Sequence, residues 1–138
     1  MSDMSDQASR GRPDASPACV LVVEDELLIQ MLAVEFLEEL GLTAETADSA
    51  AAAKSKLAAL HGEVAAVLID VGLPDARGDV LVGELRAIYP DLPVIIASGH
   101  SVEALRSQFK DEPAMAFLGK PYAPEQMRSA LRAVGVLA

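Results

Sequence analysis

The sequence predicts an α/β protein: a doubly wound (βα)5 parallel sheet with helices on both faces and strand order 2-1-3-4-5. Three observations carry that prediction. Five short apolar runs alternate with five longer helix-like segments through most of the 138 residues. Four of the runs are continuous rather than alternating, as strands covered on both faces should be. Capping and turn residues fall between the segments where such units need them.

In chain order the first strand is CVLVV, residues 19–23, and the first helix covers 27–40 and is closed by Gly41. The second strand, LTAETA at 42–47, mixes apolar and polar residues as an edge strand does, and Asp48 or Ser49 is placed to cap a helix over 49–60. AAVLI at 65–69 gives the third strand and 79–89 the third helix, after which Pro90 and Pro93 bracket a turn. PVIIA at 93–97 and AMAFL at 114–118 are the fourth and fifth strands. Helices are expected over 102–109 and over 124–136, the latter with Pro124 in its first turn.

The length suits one domain with a sizeable core. Residues 1–17, MSDMSDQASRGRPDASP, are polar, lack the apolar centre of a signal peptide and are expected to be a disordered leader, with the folded domain over 18–138. No apolar run reaches the ~18 residues of a membrane helix. The single Cys19 forms no intramolecular disulfide, which suits the cytoplasm, and it reads most simply as a small apolar strand residue. A net charge of −10, with scattered basic residues, argues against a nucleic-acid surface.

The first strand runs straight into Glu24-Asp25-Glu26. Two carboxylates 4–5 Å apart repel by roughly 3–4 kcal/mol at an effective dielectric near 20, so a positive charge is expected beside them. In a doubly wound sheet, ligands bind beyond the carboxyl ends of the strands where strand order reverses, here between the first and third. That brings Glu24 and Asp25 to Asp70, which follows the third strand, and three acids in one crevice suit a hard divalent cation, Mg²⁺ above all. Any one of these acids alone is more simply a solvated residue. At the same rim the fourth strand ends in Ser98-Gly99-His100 and the fifth in Gly119-Lys120-Pro121. Ser98 alone reads as a helix cap and Lys120 alone as a solvated cation. Together, a metal, a carboxylate, a hydroxyl and an ammonium group make a site for a phosphoryl group.

These motifs resemble the receiver domain of two-component response regulators, CheY-like and flavodoxin-like in fold, over roughly residues 18–137. The acidic pair is EDE, the D-x-x-[LM]-P-x-x-x-G motif reads DVGLPDARG, and ASG and GKP follow the fourth and fifth strands. The resemblance implies that Asp70 accepts a phosphoryl group from a histidine kinase or histidine phosphotransfer protein. Asp25, Asp70, Glu24 directly or through water, and the Gly72 backbone carbonyl would bind Mg²⁺. Lys120 would pair with phosphoryl oxygens, Ser98 would swing onto them, and Phe117 would turn inward behind it. It also implies a cis Lys120–Pro121 peptide.

Some positions depart from the family's commonest residues. Ser98 and Glu24 stand for Thr and Asp and keep the chemistry; Phe117 lacks the hydroxyl of the frequent Tyr, so its signal would be steric. Pro113 replaces a usual Gly before the fifth strand, and His100 is expected to be exposed and inert. The chain stops at Ala138, which suits a stand-alone regulator, phosphoryl shuttle or phosphate sink acting on an unknown downstream protein through its own surface. A receiver excised from a longer protein is the other possibility. A Mg²⁺-dependent phosphatase with an Asp nucleophile needs a second acid two residues on, where this chain has Gly72, so no steady enzymatic turnover is expected. A pseudo-receiver that takes no phosphate is the remaining rival. Finally, residues 27–40 hold more apolar side chains than one helix face buries, and Leu27 and Met31 are candidates for a patch against which a four-helix phosphodonor packs.

Overall fold

The computed structural model describes residues 18–100 and 102–137; the expected leader at 1–17 lies outside them. The elements are β1 (Cys19–Val23), α1 (Leu27–Glu39), β2 (Thr43–Ala47), α2 (Ala50–Ala59), β3 (Ala66–Asp70), α3 (Gly78–Ile88), β4 (Val94–Ser98), α4 (Val102–Gln108), β5 (Met115–Gly119) and α5 (Pro124–Ala133). All strand pairs are parallel, and the order is β2-β1-β3-β4-β5, as expected. No described helix is long and apolar enough to cross a membrane.

Side chains alternate between the two faces of a strand, and here they divide the core in two. Val20, Val22, Leu68, Ile95 and Leu118 face α1 and α5, meeting Leu37, Met127 and Leu131. Leu21, Val23, Val67, Ile69 and Ile96 face α2, α3 and α4, meeting Leu57, Leu81, Leu85 and Leu105. Both clusters are almost wholly excluded from water.

Local signals end several of the elements. Gly41, at φ 84°, ends α1 in a Schellman turn: its N–H reaches the Glu38 carbonyl, and the Leu42 N–H reaches Leu37. Ser49, rather than Asp48, caps α2, its Oγ accepting the Ala52 N–H at 3.0 Å. Pro124 opens α5, which ends at Ala133 and not at 136, because Gly135 at φ 86° turns the chain.

Two expectations are corrected. The strands β3, β4 and β5 each end one residue later than expected, because the parallel ladder runs on through the pairs Asp70–Ala97 and Ser98–Gly119. The fifth strand is not covered on both faces: Ala116 and Leu118 are buried while Met115, Phe117 and Gly119 are half-exposed on the α4 side. It is the second edge of the sheet, and the seven-residue α4 is too short to roof it.

Pro113 leads into Ala114, which adopts φ 52°, a conformation costing an L-residue about 1–2 kcal/mol. The Ala114 carbonyl accepts from the Val94 N–H at 3.0 Å and from Arg86 Nη2 at 2.9 Å. Arg86 also holds the Leu92 carbonyl, so one guanidinium ties α3 to the turns before β4 and β5.

Candidate functional site

The carboxyl ends of β1, β3 and β5 converge on one ammonium group. Lys120, the residue after β5, places Nζ 3.1 Å from Glu24 Oε1, 3.1 Å from Asp70 Oδ1 and 3.3 Å from Glu26 Oε1. Glu24 and Asp70 are buried, at 2% and 6% exposure, while Asp25 is exposed. Carboxylate oxygens of Glu24, Asp25 and Asp70 all lie within 4.8 Å of one another.

The backbone aims these groups. The Glu24 N–H bonds the Ala47 carbonyl, and Gln30 of α1 donates to the Glu24 carbonyl at 2.9 Å, which fixes the backbone from which the side chain projects. Its Oε2 accepts the Glu26 N–H at 3.2 Å. After Asp70 the chain doubles back, with residue 72 bridged to residue 77 and the Gly78 N–H on the Val71 carbonyl. A side chain at residue 72 would begin 3.8 Å from Asp70 Oδ2, so this stretch of backbone borders the carboxylate. The Lys120–Pro121 peptide is cis.

The electrostatics are strained in the direction a cation relieves. Burial, then the Asp70 carboxylate, raises the Glu24 pKa against the opposing bonds from the Glu26 N–H and Lys120. Burial disfavours the charge on Lys120, yet hydrogen bonds to Asp70 and Glu24 outweigh it and lift its pKa above the ordinary lysine range. Tyr122, buried beside the cluster, is pushed up to about 12 by burial and then by the Glu24 charge. Four carboxylates, those of Glu24, Asp25, Glu26 and Asp70, against one ammonium leave negative charge unbalanced, and the oxygens of Glu24, Asp25 and Asp70 make a donor set that fits Mg²⁺.

Ser98 ends β4 at the same rim but on the other face of the sheet. Its Oγ accepts the His100 N–H at 3.0 Å, and its carbonyl accepts the Lys120 N–H at 2.8 Å. Phe117 lies on that same face of β5, two residues before Gly119, the register partner of Ser98. Arg106 of α4 covers its ring at 5.4 Å from the centroid, and Phe109 packs beside it at 6.5 Å. A groove of about 510 Å³ opens here, bordered by Val102, Arg106, Phe117 and Gln126. His100 is exposed, as expected.

Three contacts were not foreseen. Glu26, the third acid of the EDE run, holds Lys120, a contact signalled only by that run of charge. The Asp75 carboxylate accepts the N–H groups of Ala50 and Ala51, capping α2 from the loop that follows Asp70; those two bonds hold its pKa below the ordinary carboxyl range. Asp79 joins Arg77 to Gln108, linking α3 to α4.

On this geometry the comparisons with known proteins agree. The response regulator receiver domain family matches residues 20–132, and the chain belongs to that family. It is a receiver domain of the two-component response regulators, with an acidic pocket built around an aspartate. It is similar to the sensor kinase CckA of Brucella abortus, with 34% identity over 83% of this chain and 12% of the relative. It is also similar to the transcriptional regulatory protein PdtaR of Mycobacterium tuberculosis, with 34% identity over 79% of this chain and 52% of the relative. The chain thus spans about half or less of such relatives. Among solved structures, chemotaxis protein CheY4 of Vibrio cholerae superimposes with a TM-score of 0.76 at 25% identity, covering 86% of this chain and 99% of that one. A sensor protein from Polaromonas sp. JS666 gives 0.74 at 28%, covering 88% and 98%.

Proposed function

We propose that Asp70 is the phosphoryl acceptor of this receiver, taking the group from a phosphohistidine on a histidine kinase or histidine phosphotransfer protein. The observation that carries this reading is the Asp70 carboxylate, buried at the end of β3, 3.1 Å from Lys120 and clustered with Glu24 and Asp25. A carboxylate oxygen of Asp70 forms the new bond to phosphorus as the phosphorus–nitrogen bond breaks, and the electron pair leaves with the imidazole. Glu24, Asp25, Asp70 and the Gly72 carbonyl would hold Mg²⁺, which supplies charge neutralisation on the transferring oxygens when bound. Lys120 pairs with a phosphoryl oxygen from a position already set by Glu24 and Asp70. Ser98 gives up its bond from the His100 N–H and donates its hydroxyl to a second oxygen; Phe117 then follows on the same face.

The phosphodonor docks on α1. Leu27, Leu28 and Met31 are 65%, 80% and 57% exposed beside the acidic rim, and a groove of about 520 Å³ runs along Leu28, Met31 and Glu35. No residue supplies a general acid at position 72, so the phosphoryl group is held as an adduct and not turned over steadily.

Incubation with Mg²⁺ and phosphoramidate, followed by intact mass measurement, tests the reading. One phosphoryl adduct, absent in Asp70→Asn, is expected. An adduct that persists in Asp70→Asn overturns the assignment, and continuous phosphate release would favour the phosphatase. Met31→Glu should slow transfer from a phosphohistidine donor while leaving phosphoramidate labelling intact; equal loss with both donors would point to damaged folding, and parental transfer from the phosphohistidine donor would refute the docking face.

A further inference from the structure

An α-helix leaves its first N–H groups without partners inside the helix. In α2, Ser49 Oγ takes the Ala52 N–H, and the first turn contains no acidic residue to take the others. The N–H groups of Ala50 and Ala51 are met from outside the helix by Asp75, whose Oδ1 and Oδ2 accept them at 2.8 and 3.0 Å. A carboxylate across two N–H groups at a helix N-terminus is a charge-assisted pair that also suits the helix dipole. Asp75 belongs to the loop between β3 and α3, which carries Gly72 past the Asp70 carboxylate. The base of that loop is pinned. The Val71 N–H bonds the Ala97 carbonyl, the Gly78 N–H bonds the Val71 carbonyl, and residue 72 is bridged to residue 77. Its tip is held by the buried Leu73 and by Asp75.

We propose that Asp75 is a positioning residue for the Mg²⁺ site, holding the Gly72 carbonyl in place by anchoring the β3–α3 loop on the N-terminus of α2. The inference rests on the proposed metal site of Glu24, Asp25, Asp70 and Gly72, and adds a residue outside it. A carboxylate ligand is aimed by its own torsions, but a backbone carbonyl is aimed only by the path of the chain. Gly72 has no side chain to pack and steady its peptide, so the restraint comes from its neighbours. With residues 72 and 77 bridged, the loop moves as one piece, and loosening its tip turns the Gly72 peptide. The link runs both ways: a metal that fixes the Gly72 carbonyl steadies Asp75 against α2.

Mg²⁺ titration followed by amide shifts is the test. Asp75→Ala should weaken Mg²⁺ by roughly tenfold, the low end for residues that orient a ligand from outside the coordination shell. Mg²⁺ should shift the Ala50 and Ala51 amide signals in the parent and no longer do so in Asp75→Ala. Two controls separate the anchor from simpler causes. Ser49→Ala strips a cap from the same helix without touching the loop. Asp48→Asn removes one exposed charge from the residue after β2, next to the α2 cap. Both should bind Mg²⁺ within about twofold of the parent, as screening of exposed charge allows. If Ser49→Ala weakens Mg²⁺ as much as Asp75→Ala, the cause is a loosened α2; if Asp48→Asn does, the cause is net charge. Either result overturns the inference. So does parental Mg²⁺ affinity in Asp75→Ala, or Ala50 and Ala51 signals that ignore Mg²⁺ in the parent. A parent protein that binds no Mg²⁺, or whose affinity is unchanged by Asp25→Asn, overturns the metal site as well.

Discussion

The two faces of the sheet end differently at the same rim. On the α1–α5 face, Glu24, Asp70 and Lys120 form a buried polar knot in which every lysine donor is used. On the α4 face, Phe117 lines an open groove against Arg106 and Phe109, and the buried Ser98 accepts one backbone N–H. Charges fixed in a low-dielectric setting are costly to rearrange, whereas a half-exposed ring and a neutral hydroxyl at a strand end are less so. Under the proposed function, chemistry would belong to the rigid face and signalling to the loose one, with β4 and β5 connecting them.

The comparison breaks first if the knot proves dispensable. Lys120→Met leaves two buried carboxylates without a counter-charge and should cost about 3 kcal/mol at neutral pH in the absence of divalent metal. Urea unfolding measures this, and added Mg²⁺ should restore part of the loss. A variant as stable as the parent would mean that the lysine is not what holds the acids together. Ser98→Ala removes a charge-assisted hydrogen bond worth roughly 1.5–3 kcal/mol in the phosphorylated state. Beryllofluoride should still bind at Asp70, with amide shifts over residues 102–118 much reduced; parental shifts there would remove Ser98 from the switch. Arg106→Met uncovers the Phe117 ring at a cost of about 0.5–1 kcal/mol. It should broaden or shift the Phe117 and Phe109 ring resonances while leaving Mg²⁺ affinity unchanged.

The smallest effect is the pH dependence of the α3–α4 bridge. Burial works against the Asp79 charge, but bonds from Arg77 and Gln108 lower its pKa below the ordinary 3.8. A depressed folded pKa gives stability that is present above the unfolded value and lost as pH falls through the folded one. Amide exchange in α4 should therefore quicken below about pH 4, and Asp79→Asn should flatten that response. An unchanged pH profile would show that the bridge does not hold α4.

Much of this was legible because strand ends carry their own signal. An apolar run that stops on Asp70 or Ser98 places that residue at the rim, whatever the details of the turn beyond it. Ladder pairing decides the last residue of a strand, and pairing partners lie outside any local window, so the ends fell one position early. The contacts of Glu26, Asp75 and Arg86 were hidden for a related reason. Each joins elements separated by about 20 residues or more, and an exposed acid or arginine has the same sequence pattern whether it reaches a partner or water. The open side of β5 escaped because AMAFL reads as continuous, while its exposure depends on how short α4 is.

Gly78 shows how unevenly this fold restricts what selection can explore. A methyl group there would run into the Asp70 carbonyl and lie 2.9 Å from Ile69 Cγ2, both in β3. Five residues along the same helix, a methyl on Gly83 would meet nothing within 4 Å. Alanine at 83 should raise stability by about 1 kcal/mol through helix propensity. In a library of random variants screened for folded protein, position 83 should drift freely and position 78 should return to glycine. Two glycines in one helix thus have opposite evolutionary latitude, and the immovable one marks where β3 and α3 are pressed together.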